Sequence, residues 1–211
     1  MKILFIGNSY TYYNDMPAML ESLLRENGYD ATVHSVTKGG RRLFANLEAG
    51  DEYNEKIVKL VSKNNFDLLF LQEQSYFPLV DREKFESAVG TLKALVNAER
   101  TVLYATWGRK AGCPLLSELS LSSAEMTDAL ASAYDYAALI HGCEVSHTGL
   151  AFKSLADNTE LYNEDMSHPS YTGSAVAAIV HYRTITGELP KKTDTLGLDK
   201  EALAIIIGAL K

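Results

Sequence analysis

Residues 2–11 read KILFIGNSYT, and the place where this stretch stops being a strand decides the fold. Ile3 to Ile6 offer apolar side chains to both faces, as a central strand of a parallel sheet must when helices cover it on both sides. The run breaks at Gly7-Asn8-Ser9, so a serine hydroxyl stands where strand should give way to helix. In parallel α/β sheets that junction lies on the edge where ligands bind. Taken alone, a serine there is most simply a helix N-cap.

Outward from this stretch, strand and helix patterns alternate. Met16, Met19, Leu20, Leu23 and Leu24 repeat at helical spacing, with Asn14 or Asp15 as cap, Pro17 in the first turn and Gly28 at the end. Residues 31–36 alternate as a second strand. Helical periodicity follows over 43–47 and 53–61, with Ile57, Val58, Leu60 and Val61 expected inside. DLLFLQ at 67–72 is a third strand, 81–97 a helix, and TVLYATW at 101–107 a fourth strand. Ser122 and Glu125 form a capping box that opens a helix to about residue 141, before a short strand at 144–147. A short helix at 150–156, a polar loop, and helices at 169–186 and 198–210 complete the chain. This order predicts an α/β three-layer sandwich with a flavodoxin-like five-stranded parallel sheet, order 2-1-3-4-5, in one domain spanning 1–211.

The 211 residues are 46% hydrophobic and 22% charged, within the globular range. A formal net charge of -7 gives no footprint for a polyanion, so no nucleic-acid partner is expected, and the KGGRR cluster at 38–42 is too short to change that. No apolar run approaches a membrane span. Cys113 and Cys143 lack metal or CxxC spacing and read as free thiols. The N-terminal stretch has no basic segment followed by an apolar core and cleavage site, which leads to an expectation of a cytoplasmic protein.

The polar residues gather at the carboxyl ends of the strands, which one sheet edge brings together. Asn8 and Ser9 end the first strand, Gly39 and Gly40 follow the second, and Gln72-Glu73-Gln74-Ser75 ends the third. Thr106 and Trp107 end the fourth, and Asp165 and His168 sit three apart in the late loop. A serine hydroxyl, a histidine base and a carboxylate to orient it are the parts of acyl transfer. Oxyanion donors are available from the N–H of Ser9, the N–H of Gly39 or Gly40, and an amide of Gln72 or Gln74. No metal or cofactor is expected. His34, His141, His147 and His181 fall in or beside predicted elements and read as structural. Arg109 and Lys110 read first as solvated loop charges, with contact to an anionic substrate as the lesser alternative, and Trp107 either stacks on a substrate ring or packs in the core.

Three blocks, GNSYT at 7–11, the glycine pair at 39–40 and DMSHPS at 165–170, resemble the SGNH hydrolases of the GDSL esterase/lipase superfamily, over residues 3 to about 180. The resemblance implies metal-free ester hydrolysis, with Ser9 as nucleophile, His168 as base and then acid, and Asp165 orienting it. One block departs: where the family has G-x-N-D, this chain has LQEQS, so a glutamine amide is expected in place of the asparagine. The expected substrate is a small O-acyl ester, with an acylated sugar as one candidate and Asn8 and Trp107 as candidate contacts. The competing readings are a lipase or thioesterase for longer acyl chains and a non-catalytic binding module.

Overall fold

Ile3–Ile6 are wholly buried because β1 (Lys2–Gly7) lies between two parallel neighbours, β2 (Thr32–Thr37) and β3 (Leu68–Leu71). The structure, a computed structural model, describes residues 1–157 and 159–211. With β4 (Arg100–Tyr104) and β5 (Glu144–Ser146) the sheet is parallel throughout in the order β2-β1-β3-β4-β5, the topology expected from the element pattern.

The helices are α1 (Ser9–Tyr12), α2 (Met16–Glu26), α3 (Glu52–Val61), α4 (Phe77–Val80), α5 (Arg82–Val96), α6 (Pro114–Leu119), α7 (Ser123–His141), α8 (Thr148–Leu155), α9 (Tyr171–Thr186) and α10 (Lys200–Ala209). Alternate strand residues feed opposite cores. Ile3, Phe5, Leu68, Phe70, Val102 and Tyr104 pack with α2, α8 and α9. Leu4, Ile6, Leu69, Leu71 and Leu103 pack with α5 and α7 on the other face. Each face removes full-length apolar side chains from water, at about 2 kcal/mol for a large one, and the three layers follow.

Several boundaries differ from expectation for local reasons. The segment after β1 is not one helix capped by Asn14 or Asp15. Asn8 caps α1 by accepting from the Tyr10 N–H, and Asn14 and Asp15 take left-handed φ values of 54° and 53° between α1 and α2. Short polar side chains tolerate that conformation better than most. Residues 43–47 form a 3-10 turn, and of the four apolar positions expected inside α3 only Ile57 is fully buried, while Val58 faces solvent. Pro169 does not start α9. It bridges Tyr162 across the loop, and Ser170 caps the helix by accepting from the Gly173 N–H. The short helices α4 and α6 are too brief to show a period in sequence.

Candidate active site

The glycine at the end of β1 is there because the strand end is crowded. A Cβ on Gly7 would stand 2.5 Å from Thr11 Oγ1 and 2.7 Å from Gln72 Oε1. Gln72 Oε1 accepts from the Asn8 N–H at 2.8 Å and from Thr11 Oγ1 at 2.9 Å, so the first residue beyond β3 clamps the turn that presents Ser9. Asn8 completes the clamp by donating its amide to the Arg41 carbonyl at 3.0 Å. Its side chain is thereby committed to the backbone, although Asn8 also lines the cavity beside Ser9.

The late loop reaches the same point. His168 Nε2 lies 2.8 Å from Ser9 Oγ, and His168 Nδ1 lies 2.5 Å from Asp165 Oδ2. The other Asp165 oxygen accepts from the N–H groups of Ser167 at 3.0 Å and His168 at 2.9 Å, which fixes the carboxylate relative to the ring. Partial desolvation pulls the Asp165 carboxyl upward, but the His168 ring and these two N–H groups outweigh it and hold the group below its ordinary value. Tyr13 stacks on the imidazole at 4.3 Å, and Asn14 donates to the Pro169 carbonyl at 3.1 Å. The chain after the serine thus holds the loop that carries the histidine.

Trp107 is not a substrate platform. It is wholly buried, stacked between Tyr10 at 4.8 Å and Phe152 at 3.9 Å, and its indole N–H donates to the Ser167 carbonyl at 3.0 Å. A ring covered on both faces has no face left for a ligand, so Trp107 supports the loop from beneath.

Ser9, Tyr10, Gly40, Gln74, Ser75, Arg109 and His168 are among the residues lining a cavity of about 160 Å³. Gly40, with φ 67°, borders it, and Gly39 is not among its lining residues. Gln72 is corrected as a candidate donor: it is wholly buried, and its amide N–H donates to the Glu73 carbonyl. The two glutamines do not face the same side because β3 ends at Leu71 and the alternation lapses beyond it. Gln74 does border the cavity, with its amide donating to Ser75 Oγ at 3.1 Å.

Arg109, expected to be a solvated loop charge, is instead part of the cavity wall. It donates to Tyr10 Oη and, at 2.9 Å, to Ser75 Oγ. A lone arginine in a loop carries no sequence signal for this. Lys110 does point outward and pairs with Glu160. Glu73 had no role assigned from sequence. Its carboxyl is wholly buried, accepts from the Leu43 and Gln74 N–H groups, and is pushed by desolvation up to about 7 against those bonds and the nearby Arg42 charge.

A second serine–histidine contact exists: Ser146 Oγ lies 2.7 Å from His181 Nδ1. Both residues are wholly buried, and desolvation lowers the imidazole to about 3, so this pair meets neither solvent nor substrate. Among the described residues no group of three or more His, Cys, Asp or Glu side chains is placed to hold a metal ion, and no helix is long and apolar enough to cross a membrane.

No protein-family model and no curated protein matches the chain. Solved structures do. A protein described as an SGNH hydrolase from Slackia heliotrinireducens is 31% identical, with 88% of this chain and 98% of that one covered at a TM-score of 0.78. A DUF4886 family protein from Bacteroides uniformis is 17% identical over 99% of this chain and 92% of that one, with a TM-score of 0.80. A lipase/acylhydrolase from Enterococcus faecalis, 15% identical over 90% of this chain and 98% of that one, superposes with a TM-score of 0.66. The last two likenesses are likenesses of fold.

Proposed function

The chain belongs to the SGNH hydrolases, enzymes that act on ester bonds, and from that premise we propose that it cleaves a small O-acyl ester through Ser9, His168 and Asp165. The observation that carries this reading is the unbroken contact from Asp165 through His168 to Ser9 Oγ at the wall of a cavity.

Ser9 Oγ attacks the ester carbonyl carbon while its proton passes to His168 Nε2, the ring nitrogen facing it. Asp165 holds the opposite ring nitrogen, which sets the tautomer and favours the imidazolium that forms. The tetrahedral oxyanion is met by the N–H groups of Ser9 and Gly40 and by the Gln74 amide, each donor worth roughly 3 kcal/mol of barrier in comparable sites. His168 then returns the proton to the alcohol oxygen as the C–O bond breaks, leaving an acyl group on Ser9. Water, deprotonated by His168, attacks that acyl group, and as the bond to Ser9 Oγ breaks His168 returns the proton to that oxygen, so the acid leaves and the serine is restored.

A cavity of about 160 Å³ suits a short acyl group rather than a long chain, since pockets for larger ligands run to about 300 Å³ or more. An acylated sugar remains one candidate for the alcohol part. The test is a series of nitrophenyl esters from acetyl to decanoyl, assayed with wild type, Ser9→Ala and His168→Ala. The expected result is the highest kcat/KM at acetyl or propionyl and a loss of about 10⁴-fold or more in kcat for both variants. A profile rising with chain length would overturn the small-acyl assignment, and activity retained in Ser9→Ala would overturn the nucleophile.

A further inference from the structure

Among the residues lining the cavity at Ser9, Arg109 alone carries a permanent charge. Among the described residues, Arg25, Arg41, Arg82 and Arg100 each pair with a carboxylate, Arg42 lies over the Phe77 ring and Arg183 donates to the Leu210 carbonyl. Arg109 is held differently, by the neutral hydroxyls of Tyr10 and Ser75. Among the described residues no carboxylate pairs with it; a half-buried charge without a counter-ion is costly, and it is kept here in a protein whose net charge is -7.

The position of the guanidinium is set from both sides of the reaction centre. Tyr10 Oη, which accepts from Arg109, is also 2.8 Å from Ser167 Oγ, the neighbour of His168. Ser75 Oγ, which accepts from Arg109 at 2.9 Å, also accepts from the Gln74 amide at 3.1 Å. Arg109 is therefore anchored to the base loop and to the glutamine block, and N–H groups beyond these two bonds stay available for a ligand. A planar guanidinium fork is matched best by a carboxylate.

We propose that Arg109 selects an anionic substrate: the ester cleaved at Ser9 carries a carboxylate a few bonds from the scissile carbonyl. This rests on the reading of Ser9 as the nucleophile. The carboxylate belongs either to the alcohol part, as in an O-acyl hydroxy acid or sugar acid, or to the acyl part, as in a dicarboxylic half-ester.

Two matched pairs separate these sources. O-Acetyl-lactate against O-acetyl-lactamide places the charge on the alcohol side, and nitrophenyl hemisuccinate against nitrophenyl succinamate places it on the acyl side. In one pair the wild type is expected to favour the anionic member by about tenfold or more in kcat/KM, as a charge-assisted bidentate contact provides. Arg109→Gln should erase that ratio and Arg109→Lys should keep part of it, with added salt reducing the wild-type preference. Absence of a preference for the anion in both pairs, including failure to turn over either anionic ester, overturns the proposal with no variant needed. An equal fall for both members in Arg109→Gln also overturns it. If Ser9 still reacts with a fluorophosphonate in such a case, only the anion assignment fails; if Ser9 does not react, the nucleophile reading fails first.

Discussion

Gln72 and Gln74 are two residues apart, and their amides do different work. Gln72 accepts two hydrogen bonds inside the turn that presents Ser9, whereas Gln74 borders the cavity. Gln72→Ala would strand the Asn8 N–H and the Thr11 hydroxyl in a buried place, at about 2–4 kcal/mol, and thermal unfolding should show a matching fall in Tm. Gln74→Ala should leave Tm close to wild type and lower kcat by about 10²–10³-fold with little change in KM, the signature of a lost oxyanion donor. A reversal of these two outcomes would exchange the roles. The sequence could not separate the glutamines, because strand alternation places both on one face and gives no notice that β3 stops at Leu71. Ser9, Asp165 and His168 were legible because strand ends and loops of a parallel sheet converge whatever their spacing. Arg109 was not, since its place in the cavity comes from tertiary contacts with Tyr10 and Ser75.

At the scale of elements, the turn between α1 and α2 joins the serine block to the histidine block. Asn14 holds a left-handed conformation while its amide donates to the Pro169 carbonyl and, at 2.9 Å, to Ser174 Oγ at the start of α9. Asn14→Ala loses both bonds and gains backbone strain, so a stability loss of about 1–3 kcal/mol is expected by denaturant titration. Because the turn also carries Tyr13, which stacks on His168, kcat should fall as well. A variant with lower stability but unchanged kcat would show that the turn does not hold the histidine. Gly7 leaves less freedom still: Gly7→Ala would force Thr11 and Gln72 apart at about 1–3 kcal/mol. Helical periodicity revealed α2 because its buried face repeats over eleven residues. It could not reveal the turn before it, where a local break is decided by contacts with a loop more than 150 residues away.

For the whole molecule, pH-dependent stability tests the burial of Glu73. Its carboxyl is raised from 4.5 to about 7 by desolvation, so the fold favours the protonated form. That contribution is fully present below about pH 4.5 and is lost as pH rises through about 7, to the extent of about 3 kcal/mol. Glu73→Gln keeps a carbonyl acceptor without the charge, so its Tm should match wild type near about pH 5 and exceed it near about pH 8. A constant difference across that range would mean that Glu73 is already ionised at about pH 5. The sheet order itself was readable from apolar runs separated by amphipathic helices, since both faces of β1, β3 and β4 must be covered. The proposed chemistry depends most on that topology bringing together Ser9 and His168, which lie 159 residues apart in the chain. Intact mass after incubation with a fluorophosphonate, for wild type and Ser9→Ala, tests this most directly. A single phosphonyl adduct is expected on wild type and none on the variant; an unmodified wild type, or equal labelling of Ser9→Ala, would overturn the assignment of Ser9 as nucleophile.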